Sequence, residues 1–255
     1  MTKITSGQNK QLRRVLNDAA DKVVPVPDYC VSLEAQFQRL VKFNRELSFG
    51  FSDKLLANAE RALKRLSPTW PEQQGTILTL VPYGASVWET HQMHGRAIRA
   101  TYSGAELSVW HGFQSEHQDM GQSHGEMPTI RLLSGIKHPA KPCIWLERID
   151  LLTHWDKQNG LAPNKVRGKE SAHMGLLASA WQHKALVQLQ DGTIWPYWNL
   201  AGVEVNVPGC ELWSHCPYVD WDRDDRYLYW GALDVAYPNR DCSSPVLREC
   251  KLLAA

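Results

Sequence analysis

The chain has 255 residues, 43% hydrophobic and 22% charged, with a net charge of +1. That composition excludes a disordered chain, and the length suffices to bury roughly 70 to 75% of the unfolded surface. No apolar run approaches the roughly 18 residues that span a bilayer and MTKITSGQNK is no secretion signal, so a soluble, cytoplasmic protein with no membrane partner is expected.

Residues 8–23 place Leu12, Val15, Leu16, Ala19, Ala20 and Val23 on one helical face, with Ser6 as a possible cap, and the prolines of VPVPDY stop that helix. A second helix is predicted from Ser32, with Leu33, Phe37, Leu40, Val41 and Leu47 inward. A third is predicted from Ser52, with Leu55, Leu56, Ala59, Leu63 and Leu66 inward. Beyond Pro68 the period shortens. ILTLV at 77–81 reads as a strand, SVWETHQMHGRA as a loop or short helical turn, and AIRATY with AELSVW as a hairpin turning at Ser103-Gly104. TIRLL, CIWLERI, ALVQLQ, VEVNV and YLYW read as further strands, with Asp191-Gly192 as a second hairpin turn. Residues 153–173 read as an exposed loop and MGLLASAW as a short helix.

Helices first and strands after predict an α+β fold, with about three N-terminal helices followed by a mainly antiparallel β region. The expected division is a basic helical region at 1–70 and a tryptophan-rich β region at 71–255, or one continuous domain. Ten of the eleven tryptophans lie beyond Trp70, and most are expected in the core, although a tryptophan-rich face would also suit a protein partner.

Charge is segregated along the chain. Residues 1–70 carry 12 Lys or Arg against 7 Asp or Glu, and 131–186 carry 9 against 4. Residues 71–130 carry 2 against 6, and 187–255 carry 5 against 10. The basic blocks suggest a phosphate-neutralising face, so the first functional expectation is a nucleic-acid-associated protein. The candidate contacts on the third helix are Lys54, Arg61, Lys64 and Arg65. Those of the later loop are Lys157, Lys165, Arg167 and Lys169 between Trp155 and Trp181, where flexible cations beside aromatics suit a single strand.

The second expectation is a metal-dependent hydrolase or nuclease. Five of the ten histidines fall between Glu89 and Met127, among them His91, His94, His111 and His117. These four could ligate a divalent metal such as zinc, with Glu89 or Glu116 as general base on a bound water. A weaker zinc set is Cys210, His215 and Cys216 with Cys242 or Cys250, although reduced thiols are the simpler expectation for all six cysteines. The carboxylates of DWDRDDRYLYWGALD are expected to pair with Arg223 and Arg226, and Glu147 with Asp150 on CIWLERID is a place to look for a divergent nuclease core. The chain contains no GxSxG, GxxxxGK[ST] or GxGxxG, which weakens the serine-hydrolase, P-loop and dinucleotide-binding readings.

Overall fold

A computed structural model of the chain describes residues 30–66, 75–102, 106–110, 113, 130–155, 161–193, 195–207 and 209–255. The helix expected at 8–23 lies outside them. The described residues form an α+β fold. Helices α1 (Leu33–Glu46) and α2 (Asp53–Leu66) are followed by strand β1 (Thr76–Tyr83), helix α3 (Val87–Thr101) and strands β2 (Leu107–Val109), β3 (Ile130–Leu132) and β4 (Cys143–Asp150). Three short helices come next: α4 (Pro163–Val166), α5 (Met174–Gln182) and α6 (Lys184–Val187). The remaining strands are β5 (Tyr197–Asn199), β6 (Val203–Val205), β7 (His215–Asp222), β8 (Tyr227–Asp234), β9 (Cys242–Ser243) and β10 (Val246–Ala254).

The strands make two sheets. One is antiparallel with order β1-β4-β10. The other has order β2-β8-β7-β5-β9, with β6 joining β7 to β3, and includes the parallel pairs β2–β8 and β5–β9. A single apolar cluster runs from Phe37 on α1 to Ala254 on β10, so the N-terminal helices share the core of the sheet that they cover.

The first two described helices follow their apolar period. Ser32 Oγ caps Ala35 N and Ser52 Oγ caps Leu55 N, both at 3.2 Å, while Leu40, Phe43, Ala59 and Leu63 are buried. α1 also seals one edge of the smaller sheet. Gln36 Nε2 donates to the Leu78 carbonyl at 2.9 Å, and Gln36 Oε1 accepts from Leu80 N at 2.9 Å. One side-chain amide thus occupies one outward carbonyl and one outward amide of β1, as a neighbouring strand would over that length. Arg39 Nη1 donates to the carbonyls of Trp181 and Gln182 at 2.6 and 2.8 Å, which ties α1 to the C-terminal end of α5.

Two local expectations are corrected. SVWETHQMHGRA and most of AIRATY are one helix, α3, so the hairpin with AELSVW does not form and β2 instead runs parallel to β8. The six residues of AIRATY alternate well enough for a strand. Over fifteen residues, however, His91, His94, Ala97 and Ile98 fall on one buried face, and Ser86 caps Glu89 N while Glu89 reaches back to Ala85 N. ALVQLQ is helical at Lys184–Val187. Asp191-Gly192 turns the chain without pairing strands: both amides bond to the Trp195 carbonyl, and Gly192 takes φ +66°.

Candidate functional site

Helix α5 lies over β1 and β4 along a polar seam. Cross-strand pairing places Thr79 opposite Glu147 and Tyr83 opposite Cys143, so all four side chains rise from the same face of the sheet. Tyr83 donates its hydroxyl to Glu147 Oε1 at 2.6 Å, and His173, at the start of α5, sets Nδ1 3.4 Å from the same hydroxyl. The second residue of α5 is Gly175, where a Cβ would overlap Glu147 Oε2 and stand 3.0 Å from Ile149 Cδ1. Only glycine lets the carboxylate lie against the first turn of the helix, where unpaired amides favour an anion.

The electrostatics of this group are unusual. Glu147 is 2% exposed, and no lysine or arginine ion pair to it occurs among the described residues. Burial pushes its carboxyl up to about 7, against the stabilising hydroxyl of Tyr83. Burial, reinforced by Glu147, raises the Tyr83 phenol well above its ordinary value. His173 is lowered to about 4 by burial and by His138. His138 is half-buried at the outer side of the group. Its Nδ1 bonds the Pro139 carbonyl at 2.6 Å, and its Nε2 lies 2.7 Å from Thr90 Oγ1, which accepts from Gly84 N. On the other side the exposed Cys250 of β10 stands directly opposite Glu147, its thiol raised by burial and then by Glu147 and Glu249. Glu147 is therefore one strand away from the molecular surface.

The far end of the seam has a different character. Val31 N donates to His183 Nδ1 at 3.1 Å, which leaves the ring proton on Nε2, facing Thr79 Oγ1 at 3.2 Å. Thr79 meets Ser179 Oγ at 2.8 Å, and Ser179 donates to the Gly175 carbonyl at 2.7 Å. Every group in this chain is used internally. It fixes α5 on the sheet, and the buried His183 is held neutral, lowered to about 4.

The residues singled out from the sequence are dispersed. Glu89 is exposed, and its carboxylate accepts from Ala85 N in the cap of α3. His91 and His94 share the buried face of α3. His91 packs among Trp88, Phe113 and Trp230, and neither ring nitrogen has a hydrogen-bond partner among the described residues. His94 Nδ1 accepts from Trp181 Nε1 at 3.1 Å. Its Nε2 makes no well-formed hydrogen bond, although the Pro82 carbonyl lies close enough to favour the charged form. Both rings are lowered to about 3, by burial first. His111, His117, Glu116 and Lys157 lie outside the described residues. Lys54, Arg61, Lys64 and Arg65 are exposed on α2, as are Lys165 and Lys169 farther along, while Arg167 pairs with Glu204 at 3.4 Å. Trp155 is half-buried. Trp181 is fully buried against Phe43, Phe49 and His94, with no face open to a base.

Among the described residues no group of three or more His, Cys, Asp or Glu side chains is placed to hold a metal ion. The zinc set around Cys210 is thereby corrected: Cys216 and Cys242 are buried in the larger sheet, Cys210 and Cys250 are exposed, and His215 Nδ1 is 2.9 Å from Ser214 Oγ. Glu147 and Asp150 do not converge either, because three residues along a strand reverse the side-chain direction. Asp150 binds Arg248 at 2.8 Å on the opposite side.

The carboxylates of the β7–β8 turn border a hollow of about 290 Å3. Asp222 accepts from the amides of Asp224 and Asp225, and Arg223 reaches Asp191 at 3.3 Å, so these charges largely build the turn. No described helix is long and apolar enough to cross a membrane.

What sequence reasoning missed is the long-range assembly of Tyr83, Glu147 and His173. Its one local signal is the Glu in the middle of the apolar run CIWLERI. Comparison of the chain with protein-family models, with curated proteins and with solved structures returned no match, so the functional reading rests on this geometry alone.

Proposed function

We propose that the protein is an enzyme of the general acid–base type, in which Glu147 exchanges a proton with a polar substrate while Tyr83 and His173 position and polarise it. One observation supports the reading above all: a carboxyl group nearly sealed from water, with no ion-paired cation among the described residues, hydrogen-bonded by a tyrosine and set beside a neutral imidazole. A carboxyl held near 7 is populated in both forms at neutral pH, which suits transfer in either direction. When Glu147 is ionised, Tyr83 O–H stabilises the carboxylate. When it is protonated, the acid can donate in turn. His173 shares the Tyr83 hydroxyl, so the imidazole orients that donor. Screening the purified protein against ester, phosphoester and glycoside substrates tests this. Activity should follow an ionisation near pH 7 and fall at least about a hundredfold in Glu147→Gln, the usual contribution of a general acid or base. An activity undiminished in that variant would sink the reading.

A second reading, association with nucleic acid, is favoured by the solvent face of α2. At 100° per residue, Lys54, Arg61 and Arg65 fall within about 40° of one another, in a line about 16 Å long, with Lys64 beside it in an exposed pair with Glu60. Such a stripe suits successive phosphates. Fluorescence anisotropy with labelled single-stranded and duplex oligonucleotides should show binding that weakens steeply with salt, and a slope reduced by about 1 for each of Lys54→Gln, Arg61→Gln and Arg65→Gln. Absence of binding to either probe at low salt would remove this reading.

A further inference from the structure

The smaller sheet has two unequal edges. β1 is sealed by Gln36. β10 is the other edge strand, and among the described residues the backbone partners on its outer side are confined to its start, where Ser171 bridges Val246 and Leu247 N donates to the Glu170 carbonyl at 2.7 Å. From there Arg248, Glu249, Cys250, Lys251 and Leu252 are exposed in succession, on both faces of the strand. Leu252 is 46% exposed beside the half-buried Trp145, to which it is paired. An open strand edge is a template for another strand, and proteins usually protect it with charge.

Here the charges are arranged in a self-complementary order. We propose that two copies of the chain join edge to edge through β10, antiparallel and centred on Cys250. In that register Cys250 faces the partner's Cys250, Glu249 faces the partner's Lys251, Lys251 faces the partner's Glu249, and Arg248 faces the partner's Leu252. Two opposite-charge pairs form at once, while a strand of arbitrary sequence would meet an unmatched row of charges. The side chains are partly ordered in advance: Arg148 Nε holds Glu249 Oε2 at 3.1 Å and leaves the other oxygen free to accept, and Asp150 holds Arg248. A two-fold axis makes the contact isologous, so the two three-stranded sheets become one of six. The proposal is independent of the acid–base reading, since neither Tyr83 nor His173 takes part.

Sedimentation velocity of the purified chain at rising concentration, combined with thiol cross-linking, tests it. The mass should move from one chain towards two. Lys251→Glu turns both attractive pairs into repulsive ones and should weaken association about tenfold or more. Diamide, which takes two electrons and two protons from a pair of thiols, should link the dimer through Cys250 at mildly alkaline pH. The link should vanish in Cys250→Ala and survive in Cys210→Ala, which removes the other exposed thiol. A chain that stays single at all concentrations, association indifferent to Lys251→Glu, or a covalent dimer persisting in Cys250→Ala would each overturn the proposal.

Discussion

Lowering the pH from 6.5 to 4 should unfold the protein cooperatively, because four histidines are buried as neutral rings. His91 and His94 are lowered to about 3, and His173 and His183 to about 4, against about 6.5 in an unfolded chain. Between those values the unfolded state binds protons that the folded state refuses, so stability falls as pH falls. Four protons would give a slope of about 5 kcal/mol per pH unit. Glu147 and Asp220 are both raised to about 7, keep their protons when folded, and oppose that slope by about two protons. The remainder, about 3 kcal/mol per unit, amounts to about 7 kcal/mol across the window, within the range of the whole stability of a typical domain.

His91 isolates one part of this effect. Its ring nitrogens lack partners and its neighbours are aromatic, so His91→Phe removes a buried polar group without emptying the site. Urea midpoints followed by tryptophan fluorescence from pH 7 to 4.5 should show the slope reduced by about 1.4 kcal/mol per unit, and a gain of about 2 kcal/mol at pH 5. An unchanged slope would mean that His91 is not the neutral, enclosed ring described.

Glu147→Gln should act in the opposite pH range. With the folded carboxyl at about 7 and the unfolded one near 4.5, the native state holds the extra proton between these values. Stability therefore declines as pH rises through them. Above pH 7 the enclosed negative charge costs about 3 kcal/mol relative to the protonated form. Glutamine keeps a carbonyl to accept from Tyr83 and carries no charge, so the variant should be more stable than the parent by up to about 3 kcal/mol at pH 8, with the difference shrinking towards pH 5. A buried group whose neutralisation stabilises the fold is not there for stability, which is the pattern of an acid–base residue. Thermal unfolding of both proteins at several pH values decides this. A parent that is the more stable of the two at pH 8 would place the ionised carboxylate among the stabilising groups.

The parts of the fold governed by local periodicity were legible in the sequence. α1 and α2 show fourteen-residue amphipathic faces behind Ser32 and Ser52, and β1 and β4 are apolar runs buried on both faces. α3 was illegible because two histidines occupy its inward face, so the apolar stripe was broken where it mattered. The acid–base group was only half legible. Glu147 stood out as a charge within an apolar strand, but its partner Tyr83 lies 64 residues away, and His173, which meets that hydroxyl, lies 90 residues from Tyr83. Nothing local ties them, and the small residue that makes room for the carboxylate, Gly175, looks like any other position of MGLLASAW. Only the strand register and the seating of α5 bring them together.

The amide of Gln36 sets a limit on growth. A sheet open at both ends is a monomer unit for a filament, since each added copy presents a fresh edge to the next. With part of β1 occupied from within the same chain, the proposed union at β10 would use the edge that the described residues leave open, and the assembly would end at a pair. The Gln36 amide, with the helix that carries it, thereby favours a closed pair over open-ended polymerisation.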